Sequence, residues 1–311
     1  MSKHKTSIGG QALIEGVMMR GVDRCAMAIR KTSGEIETEE FSVPSLLHKK
    51  WYQKTPVIRG IFAFGENMIN GYKCLMRSAE ISGMTDLEEP ESRFEKWLEK
   101  KLGEKVSSFV GVLAMILAVG LALLLFMVIP TAITNLLSKA LPLSNLLKTV
   151  MESVIKIAIF VLYLWATSLM NDMKRVYGYH GAEHKTIFCY EKGLDLTVEN
   201  VKSMKRFHPR CGTSFIIITI IISILVMCFV PTWDMIYRVL TKIVLLPLIV
   251  GLSYELIKIA GRYDNIVTQI ISFPGVMLQH ITTKEPDDGM IECAITALNA
   301  VKTDNPEDDK W

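Results

Sequence analysis

Residues 106–133 read VSSFVGVLAMILAVGLALLLFMVIPTAI and carry no charged side chain. A helix needs roughly 20 apolar residues to cross about 30 Å of hydrocarbon, so the stretch predicts a transmembrane span over 106–134. A second apolar stretch, 213–231 (TSFIIITIIISILVMCFVP), ends in a proline just before Thr232, Trp233 and Asp234, which predicts a tight outer hairpin. Two weaker spans flank it: 147–170, with Glu152 and Lys156 near one end, and 235–259, with Arg238 and Lys242 near one end. Glu152 and Lys156 share a helical face and can pair, and the long stems of Arg238 and Lys242 can carry their charged heads to the surface. The competing reading is a buried polar path through the bundle.

Lysine and arginine set the orientation. Seventeen of them precede Val106 and eight lie between Asn171 and Cys211, against Lys139 and Lys148 at the link between the first two spans. The positive-inside bias places both termini and the middle loop in the cytoplasm of a multi-pass cell-membrane protein. The expected fold class is a membrane protein, mainly α, with four transmembrane helices and a cytoplasmic α+β region containing a small β-hairpin or meander. The expected organisation is a cytoplasmic N-terminal region over 1–105, spans at 106–134 and 147–170, a cytoplasmic loop over 171–212, spans at 213–231 and 235–259, and a cytoplasmic C-terminal region over 260–311.

The whole-chain numbers agree with a mixed membrane and aqueous protein. Of 311 residues, 50% are hydrophobic and 22% charged, with a mean hydropathy of +0.29; that is too apolar for an ordinary soluble domain and too charged for a chain buried wholly in lipid. A net charge of +3, with no basic stretch interleaved with aromatics, excludes nucleic acid as an expected partner. The six cysteines form no CxxC pair and fall mostly on the cytoplasmic side, so disulfides are not expected. The first thirty residues, broken by Gly9, Gly10, Glu15 and Arg20, do not read as a signal peptide.

Within the N-terminal region, Ser33 and Gly34 separate CAMAIRK from EIETEEFSV and predict a hairpin or small meander. Gly9 and Gly10 are read as permitting a tight turn. From Pro56, apolar residues such as Val57, Ile61, Met68, Tyr72, Leu75 and Ala79 recur at helical spacing, predicting an amphipathic helix that lies on the membrane surface or packs on its own domain. Gly60, Gly65 and Gly71 weaken its helicity, and close packing is the expected reason. The Glu- and Lys-rich stretch 88–105 reads as a charged helix or linker. Asp287 or Asp288 is expected to cap a last helix from Met290 to Val301, followed by a loose end at 303–311.

The middle loop carries the densest chemistry. His180-Gly181-Ala182-Glu183-His184 sets two imidazoles one helical turn apart with a carboxylate beside them, the H-x-x-E-H order of inverted zinc-protease motifs. In such sites the histidines bind the ion and the glutamate moves a proton of water. His208-Pro209-Arg210-Cys211 adds an imidazole and a soft thiolate at the same membrane face. Four ligands, His180, His184, His208 and Cys211, make a closed structural site; three leave a position for water or substrate. Hydrogen-bonded structural histidines are the competing reading. Glu183 is the candidate catalytic base. Glu15, set among apolar neighbours where an unpaired carboxylate is costly, is a second catalytic candidate or else an ion-pair partner of a neighbour such as Arg20. Asp264 can orient a ligating histidine or pair with Arg262. Gln279 and His280 are read as caps or turn formers, and Cys228 and Cys293 as packing. No serine-hydrolase elbow, phosphate loop or dinucleotide fingerprint is present.

The phrases IGGQALIEGVMMRG (8–21), YHGAEHKTIFCYE (179–191), HPRCGTSF (208–215), GRYDN (261–265) and FPGVMLQHITTKEP (273–286) together resemble the YqhQ-type family of bacterial membrane proteins, in order and over almost the whole chain. Members are often labelled predicted metal-dependent enzymes. The resemblance implies membrane location, a metal site at His180, Glu183, His184, His208 and Cys211, and a conspicuous N-terminal acid at Glu15. The expected cofactor is a divalent metal, zinc, and the expected partners are the lipid bilayer and a lipid-linked, membrane-associated or protein substrate for hydrolysis. A non-catalytic scaffold with a structural metal, and a transporter using Glu152, Lys156, Arg238 or Lys242, are the competing functions.

Overall fold

The computed structural model describes residues 5–42, 51–83, 105–141, 143–230, 233–263, 265–303 and 308–309. The chain is mainly helical with one small antiparallel sheet. Its described residues fall in two compact units, one within Met1–Met84, Leu164–Ile222 and Pro247–Trp311, the other within Thr85–Tyr163 and Ser223–Leu246. The expected linker at 88–105 (apart from Lys105), Asp264 and most of the end after residue 303 lie outside the described residues.

The first unit is built on a four-stranded meander of β1 (Gly9–Leu13), β2 (Gly16–Arg20), β3 (Arg24–Arg30) and β4 (Ile36–Ser42), each paired with the next. Met18 faces Met27 across β2 and β3, and Ala28 faces Thr38 across β3 and β4. The hairpin expected around Ser33 and Gly34 is therefore present. Gly9 and Gly10, expected in a tight turn, lie in β1 instead; the turn falls one strand later, at Ile14 and Glu15, where Glu15 takes a left-handed φ of 53°.

Successive side chains of a strand point to opposite faces, and here helices cover both. Val17, Met19, Ala26 and Ala28 pack with Tyr179, Ala182 and Ile187 of one long helix (Asn171–Glu191) and with Ile291, Ala294 and Leu298 of the last (Asp288–Val301). Leu13, Met18, Cys25, Met27 and Ile29 face the other way, against Cys74 of the helix Ile58–Ile81. Each fully buried large side chain contributes about 1.5–3 kcal/mol, so β2 and β3 are the best-anchored part of the unit. The outer strand β4 alternates half-buried and exposed residues, and its glutamates keep a sheet edge in water.

In chain order the described helices are α1 (Trp51–Lys54), α2 (Ile58–Ile81), α3 (Lys105–Leu123), α4 (Ile129–Ala140), α5 (Asn145–Thr167), α6 (Asn171–Glu191), α7 (Val198–Lys202), α8 (Gly212–Cys228), α9 (Met235–Arg262), α10 (Ile266–Thr282) and α11 (Asp288–Val301), with a wider π turn at Leu124–Val128 joining α3 to α4. Asp287 caps α11, accepting a hydrogen bond from the Met290 amide at 2.8 Å, as its position predicts. Helix α2 is the expected amphipathic helix. A Cβ on its Gly60 would meet Tyr254 at 2.6 Å and one on Gly71 would meet Gln11 at 2.6 Å, so close packing accounts for these two, whereas Gly65 faces open space.

Among the described residues, three helical stretches, Met115–Ala140, Asn145–Thr167 and Met235–Arg262, are long and apolar enough to cross a membrane. Helix α8, in the stretch expected to be the third span, has 17 residues, about 25 Å at about 1.5 Å per residue. Helix α10 is a further apolar helix of 17 residues.

The second unit corrects the expected placement of its charges. Glu152 does not pair with Lys156, and Arg238 and Lys242 do not reach the surface. Arg238 Nε donates to Glu152 Oε2 at 2.9 Å, Lys242 pairs with Glu152 Oε1, and Thr131 and Thr149 complete the cluster. Arg238 also lies 3.7 Å over the ring of Trp233. Glu152, Arg238 and Lys242 are each at most 3% exposed. The cause is a partner on a different helix: a buried guanidinium and ammonium sharing one carboxylate satisfy each other better than an i,i+4 contact on the helix surface.

Candidate metal centre

Helix α6 positions the first half of the site. His180 and His184, four residues apart, project from one face, with ring centroids 4.4 Å apart. Glu183 stands beside them, its Oε2 3.7 Å from His184 Nε2 and 4.0 Å from His180 Nε2. The loop 208–211, which leads into α8, brings Cys211 Sγ to 3.1 Å from His180 Nε2. The donor atoms of His180, His184 and Cys211 all lie within 4.8 Å of one another.

Both imidazoles are held by their far nitrogen. His180 Nδ1 bonds the Thr282 carbonyl at 2.8 Å, and His184 Nδ1 bonds the Arg206 carbonyl at 2.5 Å. A nitrogen bonded to a carbonyl carries a proton, which turns each Nε2 toward the cluster, where it offers its lone pair to an ion once it is deprotonated, the arrangement that backbone carbonyls impose on metal-ligating histidines. His184 Nε2 is buried and has no hydrogen-bond partner. An orphaned acceptor of that kind is costly unless something meets it, and two imidazoles with a thiolate are a borderline-soft donor set that suits zinc. The residues present fit such an ion.

Charge follows geometry. Burial alone opposes ionisation of Cys211, but the imidazoles of His180 and His184 outweigh it and hold the thiol well below its ordinary range. Burial likewise disfavours the His180 imidazolium, yet the Cys211 thiolate and Glu183 carboxylate raise its pKa to about 9. Burial pushes Glu183 up against the opposing pull of both histidines. The thiolate, the form that ligates metals, is therefore favoured here.

His208 is placed beside this group and is not among its three converging donors, although its Nε2, like that of His184, is buried without a hydrogen-bond partner. Its ring centroid is 5.6 Å from that of His184, its Nδ1 accepts from the Arg210 amide at 3.3 Å, and its Nε2 is 4.0 Å from a Glu191 oxygen. Burial, with His184 and Arg210 nearby, lowers its pKa well below the ordinary histidine value. Glu15 lies outside the site cavity: its carboxylate forms a two-point ion pair with Arg175 and accepts from the Tyr179 hydroxyl at 3.2 Å. Arg20, considered as its partner, instead donates to Asn67 at 2.7 Å. His280 is exposed and stacks on Phe207.

Of four supporting residues, three carry no recognisable signature. Gly10 of β1 runs against Glu183 and its backbone amide bonds the carboxylate. Gly181 lets the segment after α10 press on α6, since a Cβ there would lie 2.1 Å from the Lys284 carbonyl; this contact delivers the Thr282 carbonyl to His180. Arg206 supplies the second carbonyl. Gln279, fully buried, clamps the backbone of His208 with two bonds of 2.7 Å and so fixes the loop that holds Cys211. The fully polar Gln279 side chain inside the apolar α10 was the one legible signal among these.

The cluster opens on a cavity of about 320 Å³ lined by Gly10, Gln11, His180, Glu183, His184 and Cys211 among others. No solved structure matches the chain. The uncharacterized protein YqhQ of Bacillus subtilis (strain 168) is 36% identical over 304 residues, which cover 96% of this chain and 94% of that protein. Residues 55–304 match the family described as "Protein of unknown function (DUF1385)", a stretch that contains every candidate ligand above, and the chain belongs to that family.

Proposed function

We propose that this is a four-span protein of the cell membrane that uses a divalent ion, zinc by its donor set, for hydrolysis at the cytoplasmic face. The observation that carries the reading is the pair of imidazoles locked by the Thr282 and Arg206 carbonyls, with Nε2 of both directed at Cys211 and Glu183 alongside.

The topology follows from parity. The segments before α3, between α5 and α8 and after α9 belong to the first unit, which also takes in most of α8 and the second half of α9. For all three segments to share one side of a bilayer, α8 and α9 must both cross. Helix α8 with Phe229 and Val230 after it comes close to the required length. The lysine and arginine excess assigns that side, with 1–105, 171–212 and 260–311, to the cytoplasm.

His180, His184 and Cys211 would hold the ion. When bound, the ion supplies Lewis-acid polarisation of the substrate and of water. Glu183 takes the proton of the attacking water and delivers it to the leaving group; burial raises its pKa and so its strength as a base. His208 and Gln279 position the Cys211 loop. Glu15, bonded to Tyr179 directly before His180, steadies the start of the ligating turn rather than touching substrate.

The test offers zinc-loaded protein lipid-linked and peptide substrates. Hydrolysis that disappears in Glu183→Gln while zinc is retained supports the reading; unchanged hydrolysis in that variant contradicts it. A purely structural ion, favoured by the near-complete burial of His184, predicts instead that no substrate is turned over and that His184→Ala unfolds the unit. For the topology, a cysteine at Ser144 should label from outside and one at Asn200 should not.

A further inference from the structure

Two more cavities meet the metal centre, and their walls differ in chemistry. The first, of about 340 Å³, shares His208 and Arg210 with the site cavity and is lined by Lys5, Lys192 and Lys205. Glu191 is the carboxylate in its described lining, and it is committed to Arg210. Three lysines therefore face this space, and among the described lining residues no second carboxylate balances them. Thr268, Gln269 and Ser272 of α10 close its other side.

The second, of about 640 Å³, shares Gln11, Arg210, Cys211 and Gly212 with the site cavity. Its walls are apolar side chains of α2, α8 and α9, among them Met68, Leu75, Phe215, Ile216 and Ile257. Helix α2 leaves Phe62, Met68, Ile69, Tyr72 and Met76 exposed, and α10 leaves Ile266, Ile270 and Phe273 exposed. Apolar helical faces of this kind lie in a membrane interface. Arg210 lines all three spaces, and Cys211 stands where the apolar one begins.

We propose that the substrate class of this site is an anionic phospholipid, its acyl chain lying in the groove between α2, α8 and α9 and its phosphate held among Lys5, Lys192 and Lys205. This rests on the hydrolytic reading above for the word substrate, but the binding itself does not need the ion. The charge is complementary: basic pockets at the cytoplasmic side of membrane helices take anionic headgroups, and only an amphiphile fills a lysine-lined space and an apolar one that meet at a single arginine. The occupant enters sideways from the bilayer.

The experiment is native mass spectrometry of full-length protein, stripped of lipid by detergent exchange and titrated with dioleoyl phosphatidic acid, with dioleoylglycerol and inorganic phosphate as partial probes. Zinc content is measured on the same preparations. Wild type should bind phosphatidic acid at least tenfold more tightly than either partial probe. Met68→Trp, which fills the groove, and the pair Lys192→Glu with Lys205→Glu, which reverses the pocket, should each weaken it at least tenfold with zinc unchanged. Equal binding of phosphatidic acid by wild type and both variants overturns the proposal, as does wild-type binding of dioleoylglycerol or phosphate as tight as that of phosphatidic acid. Lipid binding that fails in zinc-replete protein removes the lipid and leaves the metal reading; tight lipid binding by folded wild type that takes up no zinc does the reverse.

Discussion

Gly10 and Glu183 occupy adjoining space so closely that a Cβ on residue 10 would stand 2.6 Å from Cγ and 2.9 Å from an oxygen of the glutamate. Strand β1 passes alongside the proposed base, and its backbone amide bonds the carboxylate, because residue 10 has no side chain. Gly9, one residue earlier, has nothing within 4 Å of the equivalent point. Overpacking a fitted site costs about 1–3 kcal/mol. Gly10→Ala should therefore lower the thermal midpoint of detergent-solubilised protein by several degrees, and Gly9→Ala should leave it within about 0.5 kcal/mol of wild type. Equal midpoints for the two variants would show that Glu183 does not lie where the strand confines it.

Lys185, buried on α6, has its ammonium against Glu285 and the Lys202 carbonyl. Glu285 itself is largely exposed. Partial burial works to raise the Glu285 pKa, but hydrogen bonds and charge from Lys185 and Arg206 outweigh it and hold the carboxyl below its usual 4.5. A carboxylate depressed on folding adds stability above its unfolded pKa, and that stability is lost as pH falls through the folded one. Thermal midpoints should fall below about pH 4.5 in wild type, and the part of that fall due to this pair should vanish in Glu285→Gln, which starts less stable at neutral pH. A Glu285→Gln profile parallel to wild type throughout would rule the linkage out.

In the second unit, removing Glu152 strands Arg238 and Lys242 away from water. Breaking a buried pair from one side costs about 3–5 kcal/mol. Glu152→Ala should unfold well below wild type in a thermal melt, whereas Lys156→Ala, which removes no bond to Glu152, should be much milder. A Glu152→Ala variant as stable as wild type would mean that the two cations reach the surface after all.

What the sequence discloses of the site is side-chain spacing along one helix. His180 and His184 at i,i+4, with Glu183 beside them, are readable because the helical repeat alone puts them on one face. Cys211 is readable as a soft donor near a second imidazole. Nothing in the residue order tells which way the His208 ring turns, since that depends on the Gln279 clamp seventy-one residues away. Thr282 and Arg206 act through carbonyls, which every residue possesses, so their side chains give no hint. The same logic separates the legible and illegible parts of the fold. The apolar runs declare themselves by length, and the turn at Ser33 and Gly34 by composition. The hairpin of β1 and β2 does not, because helices on both faces of the sheet replace polar alternation with a near-continuous apolar run. The pairing of Glu152 with Arg238 and Lys242 joins separate helices, beyond the reach of any i,i+4 pattern.

The most direct measurement is the zinc content of purified, folded wild type beside His184→Ala, Cys211→Ala and His208→Ala, with circular dichroism to confirm that each variant is folded. A site made of His180, His184 and Cys211 predicts near-stoichiometric zinc in wild type and in His208→Ala, and its loss in His184→Ala and Cys211→Ala. Absence of metal from well-folded wild type, or zinc retained in both His184→Ala and Cys211→Ala, would contradict it.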